Sequence, residues 1–323
     1  MTVLVTGAAG FIGFHVARAL LARGETVVGV DSLNAYYEVS LKQARLAELA
    51  PHPGFSFKKL DISDRDGMLA LAPELAEVTG VVHLAAQAGV RFSLEDPYAY
   101  VQANVMGQVV MLELARKLPR LAHFVYASSS SVYGDNHKQP FAVGDAVDRP
   151  NSLYAATKRA DELIGHTYAH LYGLPATGLR FFTVYGPWGR PDMAPFLFTR
   201  ALLAGDTIRV FNHGEMWRDF TYIDDIVSGV LAALDRPARG APPHALYNLG
   251  ADRPVKLTDF IAAAERASGA KAKLVYEDMQ PGDVPVTAAD IELSRRDLGF
   301  APTTALEDGM VRFVDWYRAY YGV

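Results

Sequence analysis

Residues 2–13 read Thr2-Val3-Leu4-Val5-Thr6-Gly7-Ala8-Ala9-Gly10-Phe11-Ile12-Gly13, and this stretch decides the fold of the chain. Its first five residues are typical of a strand buried in a parallel sheet. The three glycines are spaced GxxGxxG, and an amphipathic helix follows them through Leu21. Glycines at such a turn let the backbone approach a pyrophosphate, which then lies at the N-terminus of the helix. The stretch therefore predicts the opening strand, turn and helix of a dinucleotide-binding sheet.

A second apolar strand, residues 26–30, ends at Asp31. A carboxylate at that position accepts a hydrogen bond from a ribose 2′-hydroxyl and repels a 2′-phosphate, which favours NAD over NADP. A glycine turn with a helix-capping aspartate is the alternative interpretation, but the order of strand, glycines, helix, strand and acid favours NAD binding. The residues predicted to bind NAD here are Gly7, Gly10, Phe11, Ile12, Gly13 and Asp31.

Two further strands continue the pattern. Residues 55–60 form the third strand, and Asp61 and Ile62 at its end are placed to meet the adenine, although Asp61 is equally suited to cap a helix beginning near Ser63. Residues 81–86 form the fourth strand, in which we expect His83 to be packed and hydrogen-bonded rather than to act as a base. The small residues at its carboxyl end let a cofactor pass closely, so the predicted contacts are Leu84, Ala85 and Ala86.

Tyr154 and Lys158 are four residues apart in a segment predicted to be helical, so they share one face. An ammonium group near a phenol favours the phenolate, which can take a proton from a sugar hydroxyl. An isolated pair of this kind is also found on ordinary exposed helix faces, so its context decides. Upstream, a strand at residues 123–127 leads into four serines, residues 128–131, whose hydroxyls can hydrogen-bond to a reacting hydroxyl or simply form a turn.

Between the fourth strand and the strand at residues 123–127, we expect one long helix from Tyr98 to Leu118, with Asn104 as a satisfied core amide.

Composition excludes several classes of protein. The 323 residues carry a formal net charge of −5 without a clustered basic stripe, which argues against a nucleic-acid surface. The absence of cysteine excludes disulfides, thiolate nucleophiles and cysteine metal sites, and it fits a reducing compartment. No window approaches 18 uninterrupted apolar residues, and Val3 to Val5 belong to a strand rather than to a signal peptide. We therefore expect a cytoplasmic protein with no metal site and no membrane or nucleic-acid partner.

These features together resemble the extended short-chain dehydrogenase/reductase family, and within it the NAD-dependent nucleotide-sugar epimerases. The resemblance covers the first 180 residues and includes the serine run, which ends in Val132-Tyr133-Gly134. It implies that Tyr154 is the catalytic base, that Lys158 binds the nicotinamide ribose, and that Ser129 completes the catalytic set. Since neighbouring strand residues point to opposite faces, Ser128 or Ser130 would contribute only from a different side.

The second half of the chain is similar to the epimerases that act on UDP-glucuronate, in residues 180–193, 211–214 and 217–225. The resemblance places Arg218 at the UDP diphosphate, Asp283 near the uridine ribose, and Thr183 and Arg190 at the sugar. Arg91 is a further candidate for the sugar, and Ser130 a candidate for holding the sugar carboxylate. A surface position for Arg190, and an ion pair of Arg218 with Asp219 or Asp224, remain the alternatives. Many relatives carry an arginine before Pro-Gly-Asp, whereas this chain has Gln280-Pro281-Gly282-Asp283, so the diphosphate grip is expected to rest more on Arg218.

The resemblance implies inversion at C4 of UDP-glucuronate to give UDP-galacturonate, through a 4-keto intermediate and with NAD tightly bound. Similar decarboxylases carry Thr-Ser-Glu, and similar dehydratases Thr-Asp-Glu, where this chain has Ser129-Ser130-Ser131. A UDP-glucose/UDP-galactose 4-epimerase and a UDP-glucuronate decarboxylase remain as alternatives, and a dinucleotide-binding sensor without chemistry is disfavoured because Tyr154 and Lys158 are both present.

The predicted fold class is α/β, a doubly wound parallel sheet of the Rossmann type with a smaller α/β substrate-binding domain. Residues 1–183 plus about 219–250 are predicted to form the NAD-binding domain. Residues from about 184–218 and 251–323 are predicted to form the domain that binds the nucleotide sugar. The family resemblance also implies a homodimer, formed through the helices beginning near Tyr98 and Leu153.

Overall fold

A computed structural model describes residues 1–280 and 283–323 of the chain. Pro281 and Gly282, in the segment where the sequence departs from many relatives, lie outside the described residues. The strands are β1 (Thr2–Thr6), β2 (Thr26–Asp31), β3 (Phe55–Lys59), β4 (Gly80–His83), β5 (His123–Ser129), β6 (Ala176–Phe181), β7 (Thr183–Tyr185), β8 (Thr207–Phe211), β9 (Trp217–Tyr222), β10 (His244–Leu249), β11 (Pro254–Lys256) and β12 (Lys273–Glu277). The helices are α1 (Phe11–Ala22), α2 (Val39–Leu49), α3 (Arg65–Ala70), α4 (Pro97–Tyr100), α5 (Gly107–Ala115), α6 (Leu153–Tyr172), α7 (Ala194–Ala204), α8 (Ile223–Leu234), α9 (Leu257–Ser268), α10 (Glu292–Leu298) and α11 (Leu306–Tyr321).

The main sheet has seven strands in the order β10-β6-β5-β4-β1-β2-β3, and all its pairings are parallel. The chain winds outward from β1 in both directions, so the strand order reverses between β1 and β4. In open parallel sheets, ligands bind outside the carboxyl ends of the strands at such a switch point. The predicted doubly wound fold is confirmed, and its topology places a ligand crevice above Thr6 and His83.

Strand β1 shows why the sheet is covered on both faces. Its central residues are fully buried, and successive side chains point to opposite sides of a strand. Val3 and Val5 belong to one apolar cluster, which includes residues of α1 and α8, whereas Leu4 belongs to a second cluster, which includes residues of α5. A continuous apolar strand is what a parallel sheet between two helical layers requires.

Two smaller sheets lie outside the main one. Strand β9 pairs in parallel with β7 and antiparallel with β11, and β12 pairs in parallel with β8. These strands fall in or beside the segments predicted for the substrate-binding domain, whereas β10 joins the main sheet. The division into two domains stays a prediction.

The helix expected over residues 98–118 differs from the structure in two respects. Between α4 and α5, residues Val101–Met106 form a π-helical segment, and α5 ends at Ala115. Within it, Asn104 accepts a hydrogen bond from the Gln87 backbone N–H (2.8 Å) and donates to the Gln87 carbonyl (3.0 Å) and the Thr157 hydroxyl (2.9 Å). Asn104 is thus a satisfied core amide, as expected, and it lies in the kind of widened turn that often occurs beside functional sites.

Candidate active site

One large cleft opens at the carboxyl ends of the main-sheet strands, with a volume of about 1050 Å³. It is lined by residues at the ends of the main-sheet strands, by residues of α6 such as Tyr154 and Lys158, and by residues of the segments that follow β6. The sequence-predicted site residues all line this cleft: Gly7, Gly10, Phe11, Ile12, Gly13, Asp31, Asp61, Ile62, Leu84, Ala85, Ala86, Arg91, Ser129, Ser130, Tyr154, Lys158, Thr183, Arg190, Arg218 and Asp283.

The glycine turn has no room for side chains. Gly7 adopts a φ of +70°, and a Cβ on it would lie 2.8 Å from the backbone nitrogen of Ala85. A Cβ on Gly13 would lie 2.0 Å from the carbonyl oxygen of Gly7. Gly10 is the N-cap residue of α1 and has no side chain, so the first backbone N–H groups of the helix are not taken by a capping side chain. This close-packed turn at a helix N-terminus fits a pyrophosphate.

The acidic residues that follow β2 and β3 are held differently. Asp31 is buried, and its carboxylate accepts from the backbone N–H groups of Ala9 (3.1 Å) and Leu33 (2.9 Å), which fixes it beside the glycine turn. Asp61 accepts instead from the Ser63 backbone N–H (2.8 Å) and hydroxyl (2.7 Å). Since α3 is capped by Asp64, the alternative that Asp61 caps this helix is wrong. An adenine contact of Asp61 stays a prediction.

Tyr154 and Lys158 lie on the first turns of α6, whose N-terminus is capped by the Ser152 hydroxyl. Tyr154 is half-buried, with its ring at 6.0 Å from that of Tyr100 in an edge-to-face arrangement. Lys158 is only 3% exposed, so the pair does not lie on an ordinary exposed helix face. Its ammonium donates to the carboxylate of Asp161 at 2.8 Å. The Tyr154–Lys158 pair is therefore partly buried, which the sequence alone could not show and which favours a functional role over an ordinary exposed helix face.

Asp161, which supports the site by binding Lys158, is a residue that sequence reasoning missed. It is 1% exposed, one oxygen binds Lys158, and the other has no hydrogen-bond partner among the residues that the structure describes. Burial raises its pKa to about 6, and the Lys158 ammonium opposes that rise. The only available signal was its position three residues after Lys158, on the same helix face.

The four serines at the end of β5 divide between two sides. The Ser128 hydroxyl donates to Glu162 on α6 (2.6 Å), and Glu162 also binds the buried Arg180. The Ser129 hydroxyl accepts from the Ser131 backbone N–H and donates to the Ser131 hydroxyl, both at 3.2 Å. The Ser128 hydroxyl is thus bound to a buried ion pair, although the residue also lines the cleft, and this leaves Ser129 as the residue expected from the alternation.

His83 is packed as the sequence predicts. It is 4% exposed, and its Nδ1 lies 2.7 Å from the Thr6 hydroxyl. Burial, aided by the Lys158 ammonium, lowers its pKa to about 3. The imidazole is therefore neutral, and it adds no second positive charge beside Lys158.

Arg218 and Arg91 lie around Asp283 at the far end of the cleft. The Arg218 guanidinium donates to the carbonyls of Trp217 (2.9 Å) and Pro285 (3.2 Å), and burial lowers its pKa. Asp219 accepts instead from backbone N–H groups, such as that of Ala251, so the ion pair considered for Arg218 is not formed with it. Arg91 pairs with Asp283 at 3.2 Å.

The other ion pair considered for Arg218 is not formed either. Asp224 lies 3.9 Å from Arg312, and the structure gives no ion pair between Asp224 and Arg218 within residues 1–280 and 283–323. Both ion-pair alternatives for Arg218 are wrong. Its guanidinium lines the cleft.

Arg190 lies on the loop after β7, where it forms a two-point ion pair with Asp192. The loop is anchored by a buried arginine on α2 that sequence reasoning missed. Arg45 donates to the carbonyls of Trp188 (2.6 Å), Gly189 (3.2 Å) and Ala9 (2.8 Å). Since Ala9 belongs to the glycine turn, one guanidinium joins the predicted cofactor loop to the loop that carries Arg190.

Within residues 1–280 and 283–323 there is no group of three acidic or histidine side chains arranged to hold a metal ion. Over the same residues, no helix has both the length and the apolar character needed to cross a bilayer.

Residues 3–250 match the model of the NAD dependent epimerase/dehydratase family. The chain belongs to this family. It is 50% identical to UDP-glucuronate 4-epimerase 4 of Arabidopsis thaliana, over 99% of this chain and 76% of that protein. It is 48% identical to Protein CapI of Staphylococcus aureus, over 99% of both chains. It superposes with a TM-score of 0.92 on the crystal structure of UDP-glucuronic acid 4-epimerase from Bacillus cereus in complex with UDP-glucuronic acid and NAD, at 35% identity and over 99% of this chain and 100% of that one.

These similarities confirm the predicted family, the dependence on NAD and the class of enzyme, an NAD-dependent nucleotide-sugar epimerase. The roles of the individual site residues stay predictions, which the geometry above makes specific enough to test.

Proposed function

We propose that this member of the epimerase family interconverts UDP-glucuronate and UDP-galacturonate by inverting C4. The observation that carries the proposal is the placement of Arg190 in one cleft with Tyr154, Lys158 and the glycine turn. A base beside a dinucleotide site supports redox chemistry at a hydroxyl. A guanidinium in the same cleft supports a sugar that bears a carboxylate.

The residues of the glycine turn and of the strand ends fit a bound NAD. Gly7, Gly10 and Gly13 would hold its pyrophosphate against α1, and Asp31 would bind the adenosine ribose. Leu84, Ala85 and Ala86 would lie along the cofactor, and Lys158 would bind the nicotinamide ribose. When bound, NAD supplies the acceptor and donor of the hydride at C4.

Tyr154 and Ser129 would handle the proton of the 4-hydroxyl. Tyr154 takes that proton as the general base, and Ser129 holds the same oxygen by a hydrogen bond as it becomes a ketone. Lys158 lies one helical turn from Tyr154, and Asp161 holds its ammonium in place at 2.8 Å. After the ketosugar has rotated to present its other face and C4 has received the hydride, Tyr154 returns the proton to the 4-oxygen.

Inversion requires a firm grip on UDP and a looser one on the sugar. The Arg218 guanidinium is suited to the diphosphate, because two backbone carbonyls fix its position at the far end of the cleft. Asp283 is suited to the uridine ribose, and Arg91, its ion-pair partner, to the sugar side. With the nucleotide held there, the sugar can rotate about its link to the diphosphate and present its other face.

The carboxylate at C6 makes the keto intermediate a beta-keto acid, which can lose carbon dioxide. Hydrogen bonds from Ser130, Thr183 and Arg190 would keep the breaking bond out of line with the ketone π system. On this basis Arg190→Ala enzyme that still oxidises its substrate should release more carbon dioxide per turnover than the parent. Equal release from the two enzymes would remove Arg190 from this role.

Turnover of UDP-glucuronate and UDP-glucose at equal concentration is the direct test of the proposed substrate. We expect measurable epimerisation of UDP-glucuronate and little of UDP-glucose, and a reversed preference would favour the UDP-glucose/UDP-galactose 4-epimerase alternative. Release of UDP-pentose as the main product would favour the decarboxylase. The Tyr154→Phe variant should lose epimerisation but retain bound NAD, which controls for a general loss of structure.

We further propose that the enzyme works as a homodimer in the cytoplasm. Tyr98 is 84% exposed, and other exposed apolar side chains lie on or beside the helices predicted for the interface: Leu94, Val101, Met106, Leu163, Leu171 and Tyr172. Exposed apolar side chains on these helices support a protein contact. The absence of cysteine fits a reducing compartment.

Light scattering tests the dimer. The parent should have twice the mass of one chain, and the Tyr98→Asp/Leu163→Asp variant should have the mass of one chain. Val311→Asp, on an exposed apolar residue of α11, is the control and should stay dimeric. A monomeric parent would contradict the proposal. Fractionation of the source cells tests the compartment.

A further inference from the structure

The Arg190 guanidinium is bound along one edge by Asp192. Its Nε lies 3.1 Å from Oδ1 of Asp192, and its Nη2 binds Oδ2 of the same carboxylate. Its Nη1 makes no hydrogen bond within residues 1–280 and 283–323. The two side chains are 21% and 31% exposed, so the pair is partly shielded from water yet open to the cleft.

Asp192 is in turn fixed by the opposite wall of the cleft. The Tyr36 hydroxyl, on the loop after β2, donates to Oδ2 of Asp192 at 3.0 Å. This contact depends on Gly89, on the loop after β4, which has a φ of +103° and whose Cβ would lie 2.5 Å from the Tyr36 hydroxyl. Three loops from separate parts of the chain thus meet at one carboxylate. Burial raises the pKa of Asp192, but Arg190 and Tyr36 outweigh that effect and hold the pKa below its usual value.

The geometry leaves a second carboxylate site on the same guanidinium. Arginine has five N–H donors in a planar fork, and Asp192 uses the edge formed by Nε and one Nη2 hydrogen. The other edge, formed by Nη1 and the second Nη2 hydrogen, can bind another carboxylate by two parallel hydrogen bonds. Because Asp192 fixes the plane of the fork, it also fixes the direction of this free edge.

We propose that Asp192 is a positioning residue that gives the enzyme its preference for a sugar carboxylate, by holding Arg190 with its Nη1–Nη2 edge presented to the substrate. The inference rests on the proposed function, in which Arg190 meets the C6 carboxylate. A resident anion beside the site has two opposing effects, since it orients the guanidinium but also reduces its net charge. The proposal commits to orientation as the larger effect, because the Arg190 guanidinium loses its direction without Asp192, the carboxylate that Tyr36 fixes.

Calorimetric titration of NAD-loaded enzyme with UDP-glucuronate, UDP-glucose and UDP separates these effects. We expect Asp192→Ala to weaken UDP-glucuronate binding by about tenfold or more, the range for a hydrogen bond to a charged group, and to leave UDP-glucose and UDP within about twofold. Asp192→Asn keeps an acceptor for Nε and should fall between the parent and Asp192→Ala. Tyr36→Phe removes one hydrogen bond to Asp192, so it should lower the affinity for UDP-glucuronate by a smaller factor, again without affecting UDP.

Three other results of these titrations would contradict the role proposed for Asp192 or the function on which it rests. Equal weakening of all three nucleotides in Asp192→Ala would mean that Asp192 only supports the loop. Tighter binding of UDP-glucuronate by Asp192→Ala would mean that it competes with the substrate. If Asp192→Ala does not fold, the Asp192→Asn and Tyr36→Phe titrations decide by the same criterion. A parent that binds both sugars alike would instead refute the proposed function, before any variant is compared.

Discussion

Replacing Asp161 by asparagine should stabilise the protein at neutral pH, although this residue binds the predicted catalytic lysine. The carboxylate is 1% exposed, and only one of its oxygens has a hydrogen-bond partner among the described residues. Burial raises its pKa from 3.8 to about 6, even with the Lys158 ammonium opposing the shift. Asparagine keeps an oxygen that can accept from Lys158 but carries no charge that burial would penalise.

The magnitude and its pH dependence follow from linkage. The difference between 3.8 and about 6 corresponds to a cost of about 3 kcal/mol to the folded state when Asp161 is ionised. Since the folded state binds the proton more tightly, the parent loses free energy of unfolding as pH rises from about 4 to about 6. The Asp161→Asn variant has no such loss, so its advantage should be absent at low pH and fully present above about pH 7.

Urea unfolding of the two proteins at several pH values between 4 and 8, with NAD absent from both, measures this difference. Asp66→Asn, which removes an aspartate whose side chain is 94% exposed, is the matched control and should change the free energy of unfolding by less than about 0.5 kcal/mol. The reasoning is refuted if Asp161→Asn is no more stable than the parent at pH 8, or if its advantage is the same at every pH. A gain in stability with reduced turnover would mean that the ionised carboxylate is retained for its effect on Lys158.

Three further predictions test the two ends of the cleft. Arg218→Ala should raise the dissociation constant for UDP about tenfold or more by calorimetry, because a charge-assisted contact to phosphate is lost, while the NAD content of the purified enzyme stays unchanged. Gly13→Ala should lower both NAD content and melting temperature, since its Cβ would lie 2.0 Å from the Gly7 carbonyl oxygen; normal NAD content would contradict the tight turn. Asp31→Ala should lower the ratio of the dissociation constant for NADP to that for NAD, measured by fluorescence titration. An unchanged ratio would mean that Asp31 does not select the cofactor.

The parts of the fold that could be predicted are those that a local pattern determines. The run of apolar residues in β1 and the glycines after it have one favourable arrangement, so strand, turn and helix followed from the sequence. The helix over residues 98–118 was predicted as uniform because hydrophobic spacing does not distinguish an α-helical from a π-helical turn. The widened turn at Val101–Met106 contains Asn104, whose partners Gln87 and Thr157 lie on other elements.

The parts of the site that could not be predicted depend on pairs of side chains from distant elements. Asp161 follows an arginine and an alanine on a helix and is typical of an exposed face. It is buried because α6 packs on β5 and β6, which the spacing alone does not reveal. Asp192 is two residues from Arg190, but its second partner, Tyr36, is 156 residues away in the chain. The roles taken from the family resemblance, such as that of Arg218, gave the location of the site but not these supporting contacts.

The buried guanidinium of Arg45 has a consequence for protein engineering. Because it holds the carbonyls of Ala9, Trp188 and Gly189 at once, the loop that carries Arg190 cannot be exchanged independently of the glycine turn. A chimaera that imports residues 186–193 from a relative with another sugar preference should succeed only if the donor backbone presents the same two carbonyls to α2. Otherwise the Arg45 guanidinium would be buried without two of its acceptors. The glycine turn would then be disturbed, and a change intended to alter sugar preference would also lower the affinity for NAD.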